Sequence, residues 1–159
     1  MRAMTIEAQG EATIRRTVED VFDYLADPRN EPRWLPGAKS VTMTSGGEPR
    51  RGSAFVGEYE RAGRIELQIV EFERPSRVTF RAHSRIVRFD DAVQLAPVDG
   101  GTRLQAQMTA EPQGLMRLVG PLMGRTLRKQ FASNWEHLRR ALEADTAAAA
   151  PDRAARRPS

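Results

Sequence analysis

The adjacent carboxylates Asp90 and Asp91 are the side chains best placed by type and spacing for acid/base chemistry. Asp91 shares its parity with Phe89, Val93 and Leu95, and alternate residues of a strand point to the same face of a sheet. If the Asp91 carboxyl faces the interior, desolvation raises its pKa and suits it to act as a general acid or base. The alternative is a bulge at Asp90-Asp91 that turns one or both carboxylates to solvent. Asp91 is therefore the candidate catalytic residue.

Two more polar side chains occupy positions that are otherwise apolar. Tyr59 shares the parity of Phe55, so its hydroxyl either donates to a ligand carbonyl or lies at the rim of an ordinary core. Asn134 lies on the apolar stripe of the last predicted helix, where its amide needs a partner. That partner is either a ligand or a strand carbonyl.

Other catalytic chemistries lack the residues that they require. The chain has no Cys, which excludes thiolate nucleophiles, disulfides and Cys-ligated metals. His83 shares the parity of Thr79 and Arg81 and is expected on the solvent side, and His137 lies off the apolar stripe of the last helix. No Ser-His-Asp spacing, pair of metal ligands or glycine-rich phosphate loop is present. We therefore expect neither a metal nor a cofactor.

The basic pI of about 10.3 is a weak indication of nucleic-acid binding. The net charge is only +4, from 25 basic and 21 acidic residues, and the pI is high because nearly all the bases are Arg. The Arg residues are scattered, and no motif of a nucleic-acid-binding fold occurs. A solvated basic surface is the favoured interpretation, and nucleic acid is not an expected partner.

The hydropathy pattern predicts a cytoplasmic protein. No apolar run approaches the ~20 residues that span a bilayer. The start of the sequence, Met1 to Glu7, also lacks the apolar stretch of roughly 7–15 residues found in a secretory signal.

The apolar residues alternate with period two along most of the chain, which predicts an antiparallel meander. One helix interrupts it, because Val18, Val21, Phe22 and Leu25 recur at helical spacing before Asp27-Pro28 stops the helix. The shift of apolar parity from Ile69 to Val70 predicts a bulge in the fourth strand. The predicted strands are 5–14, a second around 41–43, 53–60, one from 65 to 72, 78–82, 87–95 and 102–108.

From Leu115 the period changes to about 3.6, which predicts a long amphipathic helix with its stripe against the sheet. Gly120-Pro121 either kinks this helix or marks a fresh start with Pro121 in the first turn. Residues 145–159 are rich in Ala, Pro and Arg without periodicity, which predicts a disordered basic tail. The remaining residues, 1–144, are predicted to form a single domain.

Several segments between residues 4 and 144 resemble the START-like (SRPBCC) superfamily, in particular its polyketide cyclase/dehydrase and lipid-transport branch. They are Val21-Phe22-Asp23-Tyr24-Leu25-Ala26-Asp27-Pro28, Arg33-Trp34-Leu35-Pro36-Gly37, Gly52-Ser53-Ala54-Phe55, Val70-Glu71-Phe72-Glu73-Arg74-Pro75, Gly100-Gly101-Thr102-Arg103-Leu104 and Leu138-Arg139-Arg140-Ala141-Leu142-Glu143. The resemblance implies an α+β helix-grip fold. In it a curved seven-stranded antiparallel sheet wraps around the C-terminal helix, with two short helices after the first strand.

Such a fold implies a ligand cavity between the sheet and the helix. Parity, helical spacing and the resemblance together select the candidate ligand-binding residues Trp34, Phe55, Tyr59, Phe89, Met108, Met123, Leu127, Phe131 and Asn134.

Three classes of function remain. The first is binding of a hydrophobic small molecule such as a lipid, quinone, polyketide or aromatic metabolite. The second is a cyclase/dehydratase-type enzyme with one acid/base group. The third is a protein-interaction or chaperone-cofactor module that uses the outer sheet face. A purely apolar cavity favours the first, two or more convergent ionisable groups favour the second, and a filled core favours the third. A homodimer is compatible with all three.

Overall fold

A single antiparallel sheet of seven strands curves around one long helix in this computed structural model, which describes the backbone of residues 5–155 and the side chains of residues 5–144. The strand order is β1-β7-β6-β5-β4-β3-β2, so the first strand joins the sheet beside the last. The elements in chain order are β1 (Ile6–Ile14), α1 (Val18–Leu25), a 3₁₀ turn (Pro28–Asn30), α2 (Glu31–Trp34), β2 (Ala38–Met43), β3 (Ala54–Tyr59), β4 (Gly63–Glu73), β5 (Arg77–His83), β6 (Val87–Val98), β7 (Gly101–Pro112), a second 3₁₀ turn (Gly114–Arg117) and α3 (Gly120–Ala155). This is the α+β helix-grip architecture that the sequence predicts.

The chain between β1 and β2 is shaped by local capping. The Thr17 side chain accepts a hydrogen bond from the Asp20 backbone N–H at 3.2 Å, which caps the start of α1. Asp27 caps the 3₁₀ turn in a similar way, because its Oδ1 atom accepts a hydrogen bond from the Arg29 backbone N–H at 3.1 Å. The Asn30 amide then donates to the Tyr24 carbonyl at 3.0 Å. These bonds hold the reversal that delivers Glu31 to the first position of α2.

The predicted bulge in β4 is confirmed by the pairing of β4 with β5. Ile69 pairs with Phe80 and Glu71 pairs with Thr79, so one residue of β4 is left over between them. An extra residue bends its strand and increases the local twist. The bulge therefore contributes to the curvature with which the sheet encloses α3.

The helix α3 begins at Gly120 with Pro121 in its first turn, so the fresh start is the correct alternative. The preceding residues from Leu115 to Arg117 belong to the 3₁₀ turn rather than to the long helix predicted from Leu115 onwards. The backbone of α3 runs to Ala155, into the predicted tail 145–159. The side chains from residue 145 and the residues after 155 lie outside the described part of the chain, so the disordered tail stays a prediction.

The core is formed by the concave sheet face, α1 and one face of α3. Trp135, at 2% exposed, is the largest fully buried side chain, and it lies against Gly10 of β1. A Cβ atom at Gly10 would lie 2.1 Å from Cδ1 of Trp135, well inside contact distance. Gly10 is therefore the residue that lets α3 approach β1 closely.

Replacing Gly10 with alanine is expected to lower the free energy of unfolding by about 1–3 kcal/mol, the usual cost of overpacking a core. The added methyl group can be accommodated only if the Trp135 ring or β1 moves. Urea unfolding followed by tryptophan fluorescence measures the change. Gln9→Ala, at the exposed neighbouring position of β1, is the control, and an equal loss in both variants would contradict the Gly10–Trp135 contact as the cause.

Candidate functional site

A cavity of about 800 Å³ lies between the concave face of the sheet and α3, so the core is not filled. Its volume falls within the ~300–1,000 Å³ typical of small-molecule sites. Exposed side chains such as Arg61, Thr126 and Lys129 mark where it meets solvent. Apolar side chains form most of its wall: Leu25, Trp34, Leu35, Ile65, Leu67, Phe80, Val87, Phe89, Met108, Ala110, Leu127, Phe131 and Trp135.

Asp91 lies on the cavity side of β6. It pairs with Phe80 of β5 and Met108 of β7, whose side chains are buried on the concave face, and neither pairing has a register shift nearby. The proposed bulge to solvent is therefore absent, and the two carboxylates separate by strand parity. Asp90 faces outward and forms an exposed ion pair with Arg81 at 3.0 Å. Asp91 lines the cavity.

Glu31 is the second carboxyl of the cavity, and the sequence reasoning missed it. It begins the four-residue helix α2, where neither strand parity nor a helical stripe applies. The Tyr59 hydroxyl, which comes from β3, donates a short hydrogen bond to Oε2 of Glu31. Tyr59 thus lies in the cavity as expected, but its partner is a protein carboxyl. Glu31 could have been suspected only because an acidic residue stands here among prolines and aromatics.

Burial raises the pKa of Glu31 to about 7, although the hydrogen bond from Tyr59 favours its ionised form. The pKa of Asp91 is raised to about 7 first by burial and then by the negative charge of Glu31. The Tyr59 hydroxyl keeps its proton, because burial and the nearby Glu31 both raise its pKa. Near neutral pH both carboxyls are therefore partly protonated, and the charge of one favours the protonated form of the other, while the Tyr59 hydrogen bond stabilises Glu31 as the anion.

Two buried oxygen atoms beside the cavity have no hydrogen-bond partner among the described side chains, namely Asp91 Oδ1 and Asn134 Oδ1. Both residues line the cavity, Asn134 from α3 and Asp91 from the facing sheet. An unsatisfied buried polar atom costs roughly 1–3 kcal/mol, so a bound molecule that supplies a hydrogen bond is stabilised here. An amide oxygen accepts hydrogen bonds, so the Asn134 oxygen calls for a donor on a ligand, and the expected bond from the Asn134 amide nitrogen to a strand carbonyl stays a prediction.

The structure brings most of the predicted site residues together. Trp34, Tyr59, Phe89, Asp91, Met108, Leu127, Phe131 and Asn134 all line the cavity. Phe55 and Met123 do not. Phe55 is 1% exposed and belongs to the packed core further along β3, because parity selects the inner face and does not separate cavity from core. Met123 lies on α3 one turn before Leu127, outside the cavity wall.

Trp135 was also not predicted as a site residue, although its helical spacing indicates a buried position. It lies four residues after Phe131 and three before Leu138, both of which are buried. Its ring is stacked at a tilt with Trp34, 5.9 Å between centroids, and meets Phe131 edge-on at 5.3 Å. This aromatic cluster connects α2 to α3 and closes one side of the cavity.

The histidines lie away from the cavity. His83 is exposed on β5, with its Nε2 atom 2.9 Å from Glu66, and His137 on α3 is not part of the cavity wall.

Among residues whose side chains are described, no group of three His, Asp or Glu side chains is arranged to hold a metal ion. Within the described residues, no helix is both long and apolar enough to cross a membrane.

A curved sheet that grips a terminal helix around a cavity defines the class of START-like ligand-cavity folds. Residues 5–143 match the family described as polyketide cyclase / dehydrase and lipid transport, and the chain belongs to that family. An uncharacterised protein of Mycobacterium tuberculosis, Rv2574, is 31% identical over 142 residues, covering 84% of this chain and 82% of the relative.

Two solved structures illustrate the likeness in fold. A conserved protein from Geobacillus kaustophilus superimposes with a TM-score of 0.70 at 16% identity, covering 87% of this chain and 96% of that one. The di-domain ARO/CYC StfQ from the steffimycin biosynthetic pathway also has a TM-score of 0.70, at 14% identity, covering 91% of this chain and 53% of its own. At these identities the comparisons establish the fold alone.

Proposed function

We propose that this protein binds a mostly apolar small molecule in the cavity, with a polar group of that molecule held by Glu31, Tyr59 and Asp91. The observation that carries the proposal is a cavity of about 800 Å³ with a mostly apolar wall, in which this polar group and Asn134 lie among apolar side chains while the other polar lining residues are exposed at the mouth. Apolar walls supply affinity through burial, while a few fixed polar atoms orient the ligand. A lipid, quinone, polyketide or aromatic metabolite with a hydroxyl or carbonyl group has this chemistry.

Native mass spectrometry of protein purified from its own host tests the proposal. The wild-type protein is expected to carry a small-molecule adduct and to bind a neutral apolar dye such as Nile red. Leu127→Trp places a large ring at the cavity wall and is expected to lower dye affinity at least tenfold, about 1.4 kcal/mol, and to remove the adduct. Ala132→Trp, at an exposed position of α3 outside the wall, is the matched control. Equal dye binding by both variants would show that the dye binds elsewhere.

A second candidate function, a cyclase/dehydratase-type enzyme, is favoured by the two convergent carboxyls. Such a reaction needs one group that removes a proton from carbon and one that delivers a proton to a departing or developing oxygen. In this reaction Glu31, whose anion accepts the Tyr59 hydrogen bond, would act as the base, and Asp91, whose pKa the Glu31 charge raises, would act as the acid. The cavity wall would fold a flexible chain against this pair, which lowers the entropic part of the barrier.

A further inference from the structure

Four large apolar side chains project into solvent where the second 3₁₀ turn meets α3. Leu115 is 84% exposed, Leu118 82%, Leu122 79% and Val119 42%. We call these four residues the leucine surface. Their spacing of three to four residues places them along one side of a helical turn. Isolated exposed apolar residues are ordinary, but a contiguous group of this kind marks an interaction surface.

The charge of the same segment indicates which partner fits. Between Pro112 and Trp135 the sequence contains four cationic residues and neither Asp nor Glu. Arg117, Arg125 and Lys129 are exposed and form no ion pair within the described part of the chain, whereas Arg128 donates to the Glu7 carbonyl of β1 at 3.0 Å. Large apolar side chains flanked by free cations are the combination that binds an anionic lipid surface.

Other occupants fit this surface less well. The segment 145–159 has only Ala and Pro as apolar residues, so it offers the leucines little to pack against. A second copy docked on the same surface would bring the cations of both copies into one interface, where the segment between Pro112 and Trp135 offers no Asp or Glu to pair with them. An anionic bilayer would bury the leucine side chains among its lipids and would pair the arginines with its headgroups.

The leucine surface also lies at the open end of the cavity. Leu122 is four to seven residues before Thr126, Leu127 and Lys129, which line the cavity from α3, a separation of roughly 6–10 Å along a helix. Val87 and Ala110, at the same end of the sheet, line it as well. We propose that the leucine surface docks this protein onto anionic membranes, with Arg117 and Arg125 on lipid headgroups and the cavity mouth next to the bilayer.

Flotation with phosphatidylcholine vesicles, with and without phosphatidylglycerol, tests the proposal. The wild type is expected to float with the anionic vesicles, to do so less in high salt, and to bind the neutral vesicles weakly. The double variant Leu118→Gln/Leu122→Gln is expected to lose at least tenfold in partitioning. The double variant Arg117→Gln/Arg125→Gln is expected to lose a similar amount, since each basic residue near such a surface contributes roughly fivefold.

Val98→Gln is the matched control, because Val98 is an exposed apolar residue at the opposite end of β6 and β7. It is expected to float like the wild type. Thermal melting checks the fold of each variant, and the single Leu118→Gln and Leu122→Gln variants carry the comparison if the double variant melts early. Equal flotation with both vesicle types, or wild-type flotation of the leucine variants, overturns the proposal. Dimers that the leucine substitutions dissociate, without vesicle binding, also overturn it and assign the surface to self-association.

Discussion

Phe131→Ala is expected to lower the free energy of unfolding by about 3 kcal/mol, at the low end of the roughly 3–5 kcal/mol typical of buried Phe→Ala substitutions. Phe131 is 4% exposed and packs edge-on against Trp135, so its removal takes away a large buried surface. It also borders the cavity, so part of its surroundings is already empty. Affinity for a neutral apolar dye is expected to fall as well. Urea unfolding and dye titration measure the two effects.

Leu138→Ala is the control that separates packing from binding. Leu138 is fully buried on the same helix but does not line the cavity. Its truncation is expected to cost roughly 2–5 kcal/mol of stability without changing dye affinity under conditions where the variant stays folded. A loss below ~1 kcal/mol for Phe131→Ala, together with unchanged dye affinity, would remove Phe131 from both the core and the site.

Most of the fold could be predicted because its elements leave periodic traces in the sequence. Strand parity predicted the inward side of β3 and β6, and the parity shift at Ile69-Val70 predicted the bulge in β4. Helical spacing predicted α1 and the buried positions Phe131 and Leu138 of α3. These periodic patterns are present in the sequence because one face of each element packs into a common core.

The site was less predictable because parity gives a face but not what covers that face. Phe55 and Phe89 both point inward, yet packing surrounds the first and the cavity borders the second. Glu31 has no periodic context at all. It enters the cavity only because the capped reversal after α1 packs α2 against β2 and α3, next to Tyr59. A contact between residues 28 positions apart leaves no local trace.

The Asp90-Asp91 pair shows how far strand parity can predict the site. Adjacent residues of a strand must face opposite sides unless a bulge intervenes, so one of the two carboxyls had to point inward in a regular strand. What the sequence did not show was the second carboxyl. Its presence turns one buried acid into a coupled pair, which is the second convergent ionisable group that the enzyme hypothesis requires.

Asp91→Asn is expected to stabilise the protein at about pH 8 and to change its stability much less at about pH 4. The folded protein holds the Asp91 proton up to about pH 7, whereas the unfolded chain releases it near 3.8. Between these values the folded state binds more protons, so the contribution of Asp91 to stability falls as pH rises through this window. The asparagine variant lacks this loss, so its free energy of unfolding should rise relative to that of the wild type by roughly 2–4 kcal/mol across the window.

Urea unfolding of wild type and variant at several pH values measures the difference, from which the titrating groups other than the coupled Glu31 largely cancel. Asp90→Asn is the matched control, because it removes a carboxylate from the next residue of the same strand on the exposed face. Its ion pair with Arg81 is solvated, and such pairs contribute little. A stability difference for Asp91→Asn that does not vary with pH would contradict a buried, proton-holding carboxyl.

The same variant separates a binding protein from an enzyme. Asparagine is nearly isosteric with aspartic acid, so affinity for a neutral apolar ligand should remain close to that of the wild type. If Asp91 supplies a proton during a cyclisation or dehydration, turnover of a suitable ketide should fall by roughly 10²–10⁴-fold while ligand affinity is retained. Glu31→Gln should lower turnover similarly and shift the pH profile of what remains, because it removes the charge that raises the pKa of Asp91. Full turnover by both variants would leave the carboxyl pair with a binding role only.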